Sequence, residues 1–162
     1  GKKWGLRHVL RIERFVQREY SMTLREVESQ MAIELMSESV AVLGLGHCDV
    51  DLDHRDSGVI IIGHRNSPFP AYAGSPRHGA CSILAGFYAA LLSYLSGRQL
   101  AATEVRCGRE PIPECRFVVA TEDRLSRLLT AAPGSSDYSL LTELGARTAM
   151  PVVGEDDDTL EL

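Results

Sequence analysis

No run in this 162-residue chain approaches the roughly 18 consecutive apolar residues that a bilayer-spanning helix requires. No charged-then-apolar opening of the kind that directs export is present either, and a cytoplasmic protein is expected. An excess of cations is also missing: 17 lysines and arginines stand against 22 acids, a formal charge of -5. Nucleic-acid binders use basic patches to displace counterions from phosphates, so nucleic acid is not an expected partner. The one concentration of positive charge, Lys2, Lys3, Arg7, Arg11, Arg14 and Arg18, is interrupted by Glu13 and Glu19 and reads as a solvated or partner-facing helix surface. The glycine-rich sequences GxGxxG and GxxxxGK[ST], which cradle phosphates, do not occur. Without them no dinucleotide- or nucleotide-driven chemistry is expected. A Cys81/His78 nucleophile pair lacks a third, orienting group, and the chain is read as a non-enzyme.

What is present suits one compact core. Hydrophobic residues make up 44% of the chain and charged residues 24%, far from the composition of a disordered segment, and the length fits a single domain. A domain over 1–150 is expected, with N-terminal helices in 1–43, a sheet and a buried helix in 44–121, and an acidic tail in 151–162. Trp4, Val9, Ile12, Phe15 and Val16 recur at helical steps, predicting an amphipathic helix over 2–20. Thr23 stands three residues before Glu26, a capping-box spacing, and glycines 44 and 46 follow the next apolar-periodic run, predicting a second helix over 23–43. From His47 the pattern alternates: Cys48, Val50 and Leu52 against Asp49, Asp51 and Asp53, then a polar turn and the aliphatic run Val59–Ile62. That is a hairpin. Asn66–Pro76 is a loop; residues 80–95 are apolar on nearly every side, the mark of a buried helix. Strands are expected over 99–107 and 114–120, and short helices over 122–130 and 138–146. The order argues for an α+β fold: an antiparallel sheet with helices packed on one face and a buried central helix.

Four cysteines, Cys48, Cys81, Cys107 and Cys115, are poor candidates for disulfides where thiols stay reduced. Cys48 falls on the core face of its strand and is set aside as a buried thiol. The other three, with Glu104, would fill the four tetrahedral positions of zinc and leave none for a reacting water, which is a structural site. Glu104 and Cys107, three residues apart, point to opposite faces of a flat strand, so they can share a metal only if the strand bulges near Val105 and Arg106. On residues alone the alternative stands beside it: Cys81 as a small core residue and Glu104 as a surface acid.

Cys81, Gly86, Gly97, Glu104-Val-Arg-Cys107, Cys115-Arg-Phe117 and the preceding Asn66-Ser-Pro-Phe69 together resemble the 4-vinyl-reductase domain family over roughly residues 40–120. The spacing is similar to that of the input domain of phenol-sensing bacterial transcription activators, and more distantly the family includes TRAPP vesicle-tethering subunits and an accessory protein of bacteriochlorophyll (tetrapyrrole) synthesis. The resemblance implies a structural Zn2+ held by Cys81, Glu104, Cys107 and Cys115, stapling the buried helix to the sheet, an internal apolar pocket, and a homodimer. His64, Phe69, Tyr72, His78, Phe87 and Tyr88 are the candidate pocket residues, although core packing also accounts for the aromatic ones. Phenol sensors hold the ligand hydroxyl with a histidine and a tryptophan near the start of the sheet, but the only tryptophan here is Trp4. The expected function is a zinc-stabilised, small-molecule-binding or sensory domain that regulates through dimerisation, a partner protein or an output domain. The rival is a non-enzymatic assembly adaptor, or an accessory protein in tetrapyrrole synthesis.

Overall fold

A computed structural model describes residues 1–69, 81–108 and 114–131. The chain runs α1 (Lys2–Tyr20), α2 (Ser29–Val42), β1 (His47–Asp51), a 3-10 turn (Arg55–Ser57), β2 (Val59–Arg65), α3 (Ser82–Ser96), β3 (Ala101–Arg106), β4 (Glu114–Ala120) and α4 (Glu122–Ala131). The four strands form one antiparallel sheet in the order β1-β2-β4-β3, so the α+β reading holds. The second short helix expected over 138–146 and the acidic tail lie outside the described residues.

Alternation on the strands decides where the helices sit. Cys48, Ile60, Ile62, Cys115, Phe117 and Val119 turn to one face and meet Leu84, Phe87, Tyr88, Leu91 and Leu92 of α3, which fills the space between sheet and α1. The opposite face carries Val59, Ile61, Val118 and Ala120, covered by Leu125 and Leu128 of α4. This explains the unbroken aliphatic run at the start of β2: a strand buried on both faces has no polar side to alternate with.

α1 buries Val9, Ile12 and Val16 and crosses α3 at very short range. A Cβ built on Gly5 would lie 2.7 Å from the Phe87 carbonyl oxygen, and one on Gly86 2.9 Å from the Gly1 Cα. Glycine is required there because backbone meets backbone.

The second helix starts later than its spacing predicts. Thr23 and Glu26 do bond, with the Thr23 N–H (2.7 Å) and hydroxyl (2.8 Å) both donating to the Glu26 carboxylate. They close a turn, in which the Glu26 N–H donates to the Thr23 carbonyl (3.0 Å). Two tertiary bonds hold that turn: Glu13 on α1 accepts the buried Leu24 N–H (2.8 Å), and Arg25 donates to the Tyr94 carbonyl (2.7 Å). Glu28, at φ -53 and ψ 139, then resets the backbone before Ser29. The local signal for a cap is real, and tertiary partners turn it to another use.

His8 joins α1 to α2, its Nε2 lying 2.9 Å from the Ser39 hydroxyl, which itself donates to the Met36 carbonyl (2.7 Å). Burial, and then the charge of Arg11, hold its pKa below the usual 6.5. As pH falls the unfolded chain therefore takes up this proton first, so His8 contributes stability that is present above 6.5 and lost below it. Urea midpoints are expected to drop between about pH 7.5 and about pH 5.5, and His8→Gln is expected to reduce the drop. A drop unchanged by that substitution would assign it to other groups.

Candidate metal centre

Three elements bring the cluster together. Cys81 is the N-cap residue of α3, Glu104 lies in β3, Cys107 follows the end of β3, and Cys115 lies in β4. The spacing problem between Glu104 and Cys107 is solved by the ladder itself. Glu104 pairs with Phe117 and Arg106 with Arg116, so two residues of β4 face three of β3 and the register shifts. The extra residue at Val105 is a bulge that turns Cys107 back to the side of Glu104.

The four candidate ligand atoms all lie within 4.8 Å of one another. For comparison, thiolates around a zinc at about 2.3 Å sit about 3.8 Å apart in a tetrahedron, and the Cys81 and Cys115 sulfurs are 3.5 Å apart. The donor set is therefore sized for a metal ion. Cys81 and Cys115 are buried, Glu104 is 9% exposed and Cys107 half-buried, so the cluster is closed on the core side and reached past Cys107. The Gly108 N–H donates to the Cys115 sulfur (3.1 Å), the Cys81 N–H to Glu104 Oε2 (3.2 Å), and the Ser67 hydroxyl lies 3.7 Å from the Cys81 sulfur. These contacts orient the ligands. In the metal-free protein the two buried sulfurs behave unequally: donation to Cys115, followed by desolvation, pushes the Cys81 thiol far up. Accepting that bond holds Cys115 down, at about 7.

Cys48 lies apart from this cluster, as its strand face predicts. It is 5% exposed, with its sulfur 3.5 Å from the Ser37 hydroxyl, and burial raises its pKa.

Of the residues assigned to a pocket, His64, Phe87 and Tyr88 are fully buried, with the Tyr88 ring against both of the others, and Phe69 packs against the same core. Tyr72 and His78 lie outside the described residues. Sequence patterns did not reveal the polar link inside this group: the Tyr88 hydroxyl bonds His64 Nδ1, and His64 Nε2 lies 2.8 Å from the Leu45 carbonyl. The one signal in the sequence was a histidine at a core-facing position of β2. Trp4 stacks on Phe87 with ring centroids 4.8 Å apart. A cleft of about 400 Å³ opens where α1, α3 and the approach to β3 meet; Leu6, Ala89, Ala90 and Leu100 line it, with Lys2 and Lys3 beside them.

No protein-family model matches the chain, and no curated protein matches it. Solved structures do. The chain superposes with a TM-score of 0.54 on the phenol-responsive sensory domain of the transcription activator PoxR, solved with phenol, at 18% identity over 82% of this chain and 70% of that one. A vinyl-4-reductase family protein from Methanocaldococcus jannaschii also matches, with a TM-score of 0.47 and 19% identity over 68% of this chain and 74% of that one. The fold shared with the phenol-responsive domain is the one that the resemblance implied. No described helix is long and apolar enough to cross a membrane.

Proposed function

We propose that this is a zinc-stapled regulatory domain that binds a small apolar molecule and acts through a homodimer, a partner protein or an output domain. One observation carries the reading: three thiols and a carboxylate from the start of α3, the bulged β3 and β4 converge within 4.8 Å. When bound, zinc would tie these elements together, and a closed four-ligand set has no open position for substrate. The residues do the rest. Cys81 anchors the first turn of α3, and the bulge at Val105 supplies two ligands from one strand. The ligand in this reading packs in the cleft between α1 and α3, where apolar walls meet two lysines; a change in that crossing reaches the exposed side of α1 directly.

Native mass spectrometry, compared with the denatured mass, tests the reading. One zinc per chain in a dimer is expected, with a bound small molecule adding its own mass. A metal-free monomer with four free thiols would overturn it.

A second reading rests on α1. All six of its cations, Lys2, Lys3, Arg7, Arg11, Arg14 and Arg18, are exposed, which suits an assembly adaptor recognised by an acidic partner. Charge reversal at Arg7, Arg11 and Arg14 would then abolish capture of that partner, while substitutions in the cleft would leave it unchanged.

A further inference from the structure

The charge of this chain is gathered at two places. Five acids, Glu155, Asp156, Asp157, Asp158 and Glu161, fall within the acidic tail, and the other 17 acids match the 17 lysines and arginines in number. The tail therefore carries the whole net charge of -5. The opposite charge is concentrated on α1. Lys3, Arg7, Arg11, Arg14 and Arg18 recur at steps of three and four, which on a helix form one continuous ridge, and all five are exposed.

The two acids of α1 leave most of that ridge uncompensated. Glu13 turns inward and accepts the Leu24 N–H, and Glu19 pairs with Arg18 (2.6 Å). Among the described residues, Lys3, Arg7, Arg11 and Arg14 form no ion pair. Like charges one turn apart repel, so the ridge weakens α1 unless an anion lies along it. Beside the ridge, Leu6 and Leu10 are 49% and 40% exposed, and Leu6 lines the α1/α3 cleft with Leu100, Lys2 and Lys3. Residues four apart on a helix are separated by about 6 Å along its axis. The tail offers Leu160 and Leu162, which on an extended segment share one side at about 7 Å.

We propose that the acidic tail docks on α1 of the same chain, with its acids along the cationic ridge and its two leucines on Leu6 and Leu10 at the rim of the cleft. The chain is long enough for this. Glu122 and Asp123, at the start of α4, line a small cleft together with Lys2. From there α4 adds about 15 Å, and residues 132–154 can span up to about 75 Å. Docking makes the tail a built-in competitor: in the second reading above, an acidic partner reaches α1 only by displacing it. The docking itself depends on neither that reading nor the zinc.

Lys2 and Lys3 are the only lysines in the sequence, so zero-length carbodiimide cross-linking of carboxylates to lysines, read by mass spectrometry on the full chain, tests the contact directly. Wild type at low salt is expected to give chains of monomer mass in which Lys2 or Lys3 is joined to an acid of residues 155–161. A link from Lys2 to Glu122 or Asp123 should form beside it and reports a folded domain. Arg7→Glu, Arg11→Glu and Arg14→Glu together leave both lysines, every tail acid and the tether in place. They should lower the yield of the tail link at least about ten-fold, as expected for a contact held by charge complementarity, and spare the control link. An unchanged yield would mean that the tether alone brings the groups together, and the proposal would fail. If the reversal disturbs α1, two further arms decide. Leu160→Ser with Leu162→Ser, and separately about 1 M salt, where the screening length is about 3 Å, should each reduce the tail link several-fold. No loss in either would sink the idea. Tail links found only between two chains would assign α1 to the tail of a second copy and overturn docking within one chain.

Discussion

Cys115→Ser is expected to leave the domain unfolded or aggregated at ordinary temperature, with zinc absent from whatever soluble protein remains. The sulfur sits 1% exposed between β4 and α3, 3.5 Å from the Cys81 sulfur and in reach of the Gly108 N–H. Serine at this position is a poor zinc ligand and leaves a buried hydroxyl among donors arranged for a thiolate. Structural zinc contributes about 10 kcal/mol or more of apparent binding energy to small domains, while whole domains are stable by about 5–15 kcal/mol. Losing even half of the metal's share would remove most of the stability. Cys107→Ser should behave similarly, because the described residues offer the site no spare ligand. Cys48→Ser should be much milder, since its sulfur packs in the core outside the ligand cluster and bonds hydroxyl groups that serine can also meet. Circular-dichroism melts paired with zinc analysis check this. Equal damage from all three substitutions would refute the ligand assignment.

The second large effect is expected at Gly5, where two rules give opposite signs. By helix propensity alone, replacing a mid-helix glycine with alanine stabilises by about 1 kcal/mol. Here any Cβ would stand 2.7 Å from the Phe87 carbonyl oxygen and 2.9 Å from the Ala90 Cβ. The nearest atom is helix backbone and cannot rotate away, so α1 must lift off α3. Gly5→Ala is therefore expected to destabilise, and Gly5→Leu to do so by about 3 kcal/mol or more, at the upper end of overpacking costs. Chemical denaturation of both variants reads the sign. A stabilised Gly5→Ala would mean that the two helices cross less closely than described.

Much of this arrangement was legible in the chain because it follows from short-range periodicity. The alternation at Cys48–Leu52 and the apolar stretch that becomes α3 bury what their pattern says they bury, and α1 buries Val9, Ile12 and Val16 of its stripe while Trp4 and Phe15 stay exposed. The candidate ligands were legible for a different reason: thiols and a carboxylate are chemically distinctive, and their spacing demanded a bulge that β3 in fact contains. What escaped were contacts decided by distant partners. Thr23 and Glu26 carry a helix-start signal, yet Glu13, ten residues upstream of Thr23, and Tyr94 on another helix hold that segment as a turn. Gly5 and Gly86 look like ordinary helix-weakening residues until two backbones are seen to touch. His64 reads as a candidate ligand residue, and only the position of Leu45 fixes which of its nitrogens can accept a bond.

The bulge at Val105 also makes the cluster depend on parity. Strand residues behave as a binary code, one face or the other, and the single uncompensated residue in β3 changes odd to even between Glu104 and Cys107. Substituting Val105 leaves that count intact, so many side chains are compatible with the site. Deleting it would regularise the ladder, keep every ligand in the sequence, and still send Cys107 to the far side of the sheet. Within this stretch, evolution is free to alter letters but not length.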